Sequence, residues 1–331
     1  SGLFIDGRFV DAQDGVAVAT INPATEEPLA EVWHAGQADV ERAVAAARAA
    51  LPAWSALPGA ERAKHLYRIA RLVQERSREL AVLEVLDGGK PIREARDVDV
   101  PLVAAHLFHH AGWADKLRYA VPDGDPRPLG VVGAVIPWNF PLLMAAWKLG
   151  PALACGNTVV LKPAETTPLS ALLLAEILAE AELPPGVVNV VTGGPETGAA
   201  LVRHPALAKV AFTGSTAVGK EIAAAVAGTG VRLTLELGGK AANIVFADAA
   251  LDQAVEGIVD GIFFNQGHVC CAGSRLLVEE AVADEVVRRL ERRMRTLRVG
   301  DPLDKNTDVG AINSAAQLAR IRALVAAGVE E

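Results

Sequence analysis

The chain has 331 residues, 51% of them apolar, with a formal charge of −8. That length holds one large or two medium domains, and the acidic balance argues against nucleic acid and anionic membranes as partners. Three cysteines, Cys155, Cys270 and Cys271, two of them adjacent, make a poor disulfide framework and no zinc spacing, so a reducing, cytoplasmic setting is expected.

At the N-terminus, Ser1 stands where an initiator methionine is expected, which reads as a processed or tagged start. Residues 3–10 and 17–22 read as a short hairpin region. Helical apolar spacing follows over 39–51. It resumes over 61–87, where Leu66, Ile69, Leu72, Val73, Leu80 and Leu83 share one face and Gly88-Gly89 ends the run. Pro91 opens another helix to about Lys116. His106, His109 and His110 lie close on it, but no carboxylate joins them in a zinc pattern, so no metal is expected. Residues 116–128 are rich in proline and glycine and read as an excursion from the body.

From Leu129 the rhythm changes to strand, turn and helix. The uncharged run 128–147 is long enough to span a bilayer, but Pro137, Asn139 and Pro141 at its centre favour a buried strand, a tight turn and a helix. Five apolar, β-branched strands are expected over 131–136, 158–161, 187–191, 209–211 and 231–235, with helices between them near 142–155, 168–181, 196–202 and 217–227. Such runs fit an open α/β sheet covered by helices on both faces. Further strands at 242–246 and 275–278 and helices at 251–264, 282–297 and 314–326 continue the alternation. The arginines at 288, 289, 292, 293 and 295 fall in a helical pattern and read as a solvated face.

Ligands of open α/β sheets bind beyond the carboxyl ends of the strands, and the distinctive residues fall there. Gly214 to Lys220 opens like a P-loop, but Glu221 replaces the hydroxyl that would hold magnesium. What remains is a helix start beside Ser215, whose backbone N–H groups suit a pyrophosphate. Lys162 and Glu165 have the chemistry to bind ribose hydroxyls, although on spacing alone an exposed strand-to-helix loop is slightly favoured. Glu236 alternates with Arg232 and Thr234 on a strand that reads as too apolar for a sheet edge. Burial there would raise its pKa and suit it to general-base work. Cys270 sits in a loop rich in Gly, Asn and Gln, where a cation or a helix N-terminus would lower its pKa and supply a thiolate.

Five segments, taken together, resemble the NAD(P)-dependent aldehyde dehydrogenase superfamily: Pro137-Trp138-Asn139-Phe140-Pro141, Lys162-Pro163-Ala164-Glu165, Phe212-Thr213-Gly214-Ser215, Leu235 through Lys240, and Phe264-Asn265-Gln266-Gly267 through Arg275. The resemblance implies a Rossmann-like open-sheet cofactor domain over 1–237, with the 116–128 excursion used in oligomerisation. It implies a second α/β catalytic domain over 238–331, incomplete at its C-terminus because family chains continue further. It makes Cys270 the nucleophile, Glu236 the general base and Asn139 the oxyanion donor. Lys162, on the catalytic edge, also joins the cofactor site. That site comprises Ile136, Pro137, Trp138, Ala164, Glu165, Gly194, Gly198, Phe212, Gly214, Ser215, Val218, Leu237 and Gly238. NAD is the implied cofactor, with NADP possible, the partner a small aldehyde, and the assembly a homodimer or homotetramer. His268 stands where the family often has Gln. A second class of function, an inactive dinucleotide-binding scaffold, is kept beside the enzyme. A third, a cysteine hydrolase pairing Cys270 with His268, is poor because residues two apart in a loop rarely align as nucleophile and base.

Overall fold

The computed structural model describes residues 2–121 and 124–331; Ser1, and Pro122 and Asp123 of the expected excursion, lie outside the described residues. Two short strands, β1 (Leu3–Ile5) and β2 (Arg8–Val10), form the first hairpin. The next strand, β3 (Val16–Ile21), pairs not with them but with β4 (Pro28–His34), which its mixed composition had hidden.

Five parallel strands make the body of the main sheet: β5 (Val131–Val135), β6 (Thr158–Lys162), β7 (Val188–Val190), β8 (Lys209–Gly214) and β9 (Arg232–Leu237). The order is β2-β1-β7-β6-β5-β8-β9. The chain therefore winds outward from β5 in one direction and resumes at β8 on its other side. This reversal makes the carboxyl ends of β5 and β8 the switch point of the sheet, the place where doubly wound sheets bind dinucleotides. On one face lie the helices Gln37–Ala56, Pro195–Val202 and Thr216–Val226, which contribute Val44, Ala47, Leu201 and Ile222 to the core. On the other lie Gly59–Glu75, Val100–Trp113, Pro141–Ala154 and Leu169–Glu180, which contribute Leu66, Leu107, Leu149 and Leu174.

Two expectations need correction. The apolar run 61–87 is not one helix: Gly59–Glu75 and Ser77–Gly88 are separated at Arg76 (φ −94°, ψ 18°). Arg76 ties the break down through Glu79 at 2.8 Å and Glu176 at 3.3 Å. The strand carrying Glu236 is an edge strand after all. Its exposure alternates residue by residue, with Arg232, Thr234 and Glu236 outward, whereas β5, β6 and β7 are almost wholly buried. Its apolar residues pack only against the Thr216–Val226 side of the sheet, so its composition did not require a neighbour on both sides.

Beyond Leu237 a separate two-stranded parallel sheet forms from β10 (Ala242–Val245) and β11 (Arg275–Val278). It packs on the helices Leu251–Phe263 and Ala283–Met294 around a small core of Val245, Ile258 and Val286. The arginine-rich face of the second helix is solvated. Arg293 meets Glu256 of the first helix at 2.8 Å, and Arg289 pairs with Asp252. Among the described residues, no helix is long and apolar enough to cross a membrane, and no group of three or more potential ligands could hold a metal ion.

Candidate active site

The carboxyl ends of the strands carry the expected residues to one rim. Ile136 is buried directly after β5; Pro137, Trp138 and Asn139 follow it, half-buried, before the helix Pro141–Ala154 begins. Across the switch point, Phe212 is buried, Gly214 is half-buried, and Ser215 and Val218 are exposed. Ser215 caps the helix Thr216–Val226, its Oγ accepting from Val218 N at 3.3 Å. The other N–H groups of a helix's first turn lack partners within the helix, and the helix dipole favours an anion there.

At the end of β6, Lys162 is buried (4% exposed) rather than lying in an exposed loop. Its Nζ donates to the Pro163 carbonyl at 2.9 Å and stands 3.9 Å from the exposed Glu165 carboxylate. Burial pulls its pKa down to about 8, against the opposing pull of Glu165. Ala164 is buried below the pair. Gly198 lies against the Lys162 stem, where a Cβ would sit 3.5 Å from Cδ. His34, at the end of β4, completes this corner. A Cβ on Gly194 would stand 3.9 Å from its Nδ1, and burial followed by the Lys162 charge lowers its pKa. Nothing in the sequence around His34 announced this, because the contact depends on a hairpin packing over a distant strand end.

The cysteine loop is tied to the end of β5 by two side-chain amides. Asn139 Nδ2 donates to the His268 carbonyl at 2.7 Å, and Asn265 Nδ2 donates to the Asn139 carbonyl at 2.6 Å. The Trp138 indole meets the His268 ring edge to face, with centroids 4.7 Å apart. His268 is buried; burial, then the Lys90 charge, pushes its pKa down to about 4, so the ring is neutral at physiological pH. Its backbone carbonyl, not its ring, faces Asn139, so the ring serves the loop by packing.

The loop holds two consecutive non-glycine residues in the left-handed region, Asn265 (φ 49°, ψ 45°) and Gln266 (φ 54°, ψ 29°). Each such residue costs about 1–3 kcal/mol and persists only where its surroundings over-determine it. Asn265 N donates to Glu94 Oε2 at 2.8 Å, and Gln266 Nε2 donates to the Ala311 carbonyl at 3.1 Å.

Cys270 and Cys271 are both exposed at the end of this loop. The Cys270 thiol is shifted up, not down: partial burial raises its pKa first, and the neighbouring Cys271 adds to the rise. The expectation of a resident thiolate is therefore not met. Gly239 backs the same loop, its Cβ position 3.9 Å from the Cys270 carbonyl.

Glu236 pairs in register with Thr213 across β8 and β9, while Leu237 is half-buried and Gly238 exposed beside it. Glu236 is exposed, on the edge strand of the sheet. Lys148, from the helix Pro141–Ala154, donates to Thr213 Oγ1 at 2.8 Å. Burial pulls the Lys148 pKa down to about 8, with the Glu236 charge the first opposing influence. Lys148 escaped notice in the sequence although it is the first charge after the long uncharged run.

The site's chemistry is thus a surface thiol, an amide donor fixed by the thiol's own loop, a carboxylate on an edge strand, and a Ser-capped helix start and a lysine–glutamate pair at other strand ends. Residues 9–331 match the model of the aldehyde dehydrogenase family. The chain is 46% identical over 339 residues to an aldehyde dehydrogenase of Alternaria alternata, covering 99% of this chain and 68% of that protein. It is 46% identical over 342 residues to Homo sapiens retinal dehydrogenase 2, covering 99% of this chain and 66% of that protein. Among solved structures, the NAD+ complex of an aldehyde dehydrogenase from Bacillus cereus superposes with a TM-score of 0.95 at 43% identity, covering 99% of this chain and 69% of that one. The chain spans about two thirds of the length of these relatives.

Proposed function

This chain belongs to the aldehyde dehydrogenase family, and on that footing we propose that it oxidises an aldehyde to its carboxylic acid with NAD, through a thiohemiacetal and then a thioester on Cys270. The observation that carries the reading is the pair of amide hydrogen bonds joining the end of β5 to the cysteine loop. They tie the Asn139 amide to the cysteine loop two residues before Cys270, and an amide N–H donor near the nucleophile is what stabilising an oxyanion requires.

The cofactor corner fits NAD by its donor set. Buried Lys162 and exposed Glu165 suit ribose hydroxyls, and the helix start at Ser215 and Val218 suits the pyrophosphate. Glu165 favours NAD over NADP, because a carboxylate repels a 2′-phosphate. Ile136, Pro137, Trp138, Ala164, Gly194, Gly198, Phe212, Gly214, Leu237 and Gly238 form the walls of this path. NAD, when bound, supplies the hydride acceptor that turns the thiohemiacetal into a thioester.

The remaining work falls to the chain. Cys270 starts as a thiol, because its pKa is raised, and a base must take its proton before the sulfur attacks the carbonyl carbon. Asn139 Nδ2 has two N–H groups; one holds the His268 carbonyl and fixes the amide plane, and the other donates to the oxyanion together with the Cys270 N–H. Glu236 then deprotonates the water that hydrolyses the thioester. The scaffold reading is not favoured, since family membership and relatives at 46% identity support an enzyme. We further propose a cofactor domain over 1–237, a catalytic domain over 238–331, a homodimeric or homotetrameric assembly using the 116–128 excursion, and a cytoplasmic setting.

An absorbance screen for NADH across an aldehyde series, on the full-length protein, tests the reading. Cys270→Ala should abolish NADH formation while NAD still binds. Glu236→Gln should give a burst of NADH and then stall at the thioester. Steady turnover unchanged in either variant would refute the assigned roles.

A further inference from the structure

The segment 89–99 holds the start of the helix expected from Pro91, and it touches the cysteine loop through Glu94. Its first part is a single helical turn, Ile92–Glu94, held at its start by Ile92 N donating to the Pro302 carbonyl at 2.8 Å and by the Arg93–Asp308 ion pair at 2.8 Å. A π turn, Ala95–Asp99, follows at once and swings Asp99 onto the buried ammonium of Lys90, to which it is paired. Lys90 also stands 3.8 Å from Glu84 and 4.5 Å above the Phe140 ring. The turn is therefore clamped from both ends, and π turns occur frequently at functional sites.

From this clamped turn Glu94 reaches the cysteine loop, 171 residues further along the chain, and accepts from Asn265 N at 2.8 Å. Asn265 is 2% exposed, so losing that acceptor would leave a buried N–H without its protein partner. The contact falls on the first of the two left-handed residues, and the same Asn265 sends its side chain to the Asn139 carbonyl. One unbroken line of hydrogen bonds therefore runs Glu94, Asn265, Asn139, His268, and ends two residues before Cys270. We propose that Glu94 is a positioning residue for the reaction: its carboxyl holds Asn265 in the left-handed turn, and through that turn sets the Asn139 amide against Cys270. Without the acceptor, the Asn265 N–H is buried and unpaired, and the turn relaxes toward ordinary backbone, carrying the Asn265 amide off Asn139. Only the acceptor is required, so a neutral side chain of the same reach serves. In keeping with this, burial raises the Glu94 pKa to about 7, a carboxyl that needs no full charge to do its work.

The inference rests on the reading of Cys270 and Asn139 as nucleophile and oxyanion donor, and its test separates the two. In the full-length protein, Glu94→Ala, Glu94→Gln and the unaltered chain are compared by NADH formation, by the rate at which iodoacetamide labels Cys270 (located by peptide mass), by NAD affinity and by thermal unfolding. Glu94→Ala should lower turnover about 10- to 100-fold, the loss typical of a displacement near 1 Å at a reacting centre. It should change the Cys270 labelling rate at least about threefold while NAD affinity stays within about twofold. Glu94→Gln should restore both rates to within about threefold of the unaltered chain. Turnover and labelling unchanged in Glu94→Ala would overturn the proposal. So would a Glu94→Gln variant as impaired as Glu94→Ala with NAD affinity and thermal stability falling alongside, the signature of a merely structural carboxylate. If the unaltered protein forms no NADH with any aldehyde, the proposed function fails, and the labelling comparison alone still decides whether Glu94 positions the loop.

Discussion

Two adjacent glycines, Gly88 and Gly89, should respond in opposite ways to the same added methyl group. Gly88 is the last residue of the helix Ser77–Gly88, and a Cβ there would meet only Thr167 Cγ2, at 4.0 Å. Gly89 has φ +80°, and a Cβ there would stand 2.7 Å from the Ala311 carbonyl oxygen, 2.9 Å from Pro23 Cγ and 3.1 Å from Ala311 Cβ. A left-handed alanine costs about 1–2 kcal/mol in backbone strain. Overpacking against a backbone carbonyl adds about 1–3 kcal/mol. Gly89→Ala should thus be about 2–5 kcal/mol less stable, whereas Gly88→Ala should be neutral or up to about 1 kcal/mol more stable, as glycine is a poor helix former. The damage at Gly89 has a direction. Ala311 N donates to the Gly89 carbonyl at 2.9 Å, and the Ala311 carbonyl accepts from Gln266 Nε2 at 3.1 Å. Displacing Ala311 therefore pulls on the cysteine loop, and Gly89→Ala should lose turnover while retaining NAD binding. Urea unfolding of both variants beside the unaltered protein measures the difference. A Gly89→Ala variant as stable as Gly88→Ala would refute the claim that this close approach is obligatory.

Asn139→Ala should reduce kcat about 10²- to 10³-fold, and by leaving the His268 carbonyl unpaired should cost about 1–3 kcal/mol of stability; an unchanged kcat would remove Asn139 from the oxyanion site. With its pKa raised, Cys270 in the cofactor-free protein should be alkylated faster at every step from pH 7 to 9, with no plateau; saturation near pH 7 would reveal a thiolate instead. His268 titrates near 4 when folded and near its ordinary value when unfolded, so between pH 6.5 and 4 the unfolded chain binds the extra proton. Its contribution is therefore present above pH 6.5 and lost as pH falls through that window, amounting to about 3 kcal/mol. His268→Gln should lack this part of the acid sensitivity, and parallel pH–stability curves for the two proteins would count against a buried neutral ring.

The strand ends, their turns and the helix start at Ser215 were legible because each is written in neighbouring residues. Five apolar β-branched runs mark β5 to β9, Pro137 and Pro141 stop the first, and Ser215 caps its helix locally. β4 was hidden because Pro28–His34 mixes charged and apolar residues and is fixed by pairing with Val16–Ile21. The break at Arg76 was missed because apolar periodicity runs through it, whereas its ion pairs reach another helix.

What the chain determines by itself is periodicity, capping and turn chemistry, all set by residues a few positions apart, and with them the doubly wound order of its elements. What only the tertiary structure decided is which strand lies at the edge, and so that Glu236 meets water. Packing also decides that Lys162 is buried, that the Cys270 thiol is pushed up, and that Glu94 reaches Asn265. Burial and long-range hydrogen bonds depend on what packs against a residue, and that partner can stand 171 positions away, beyond the reach of any local pattern.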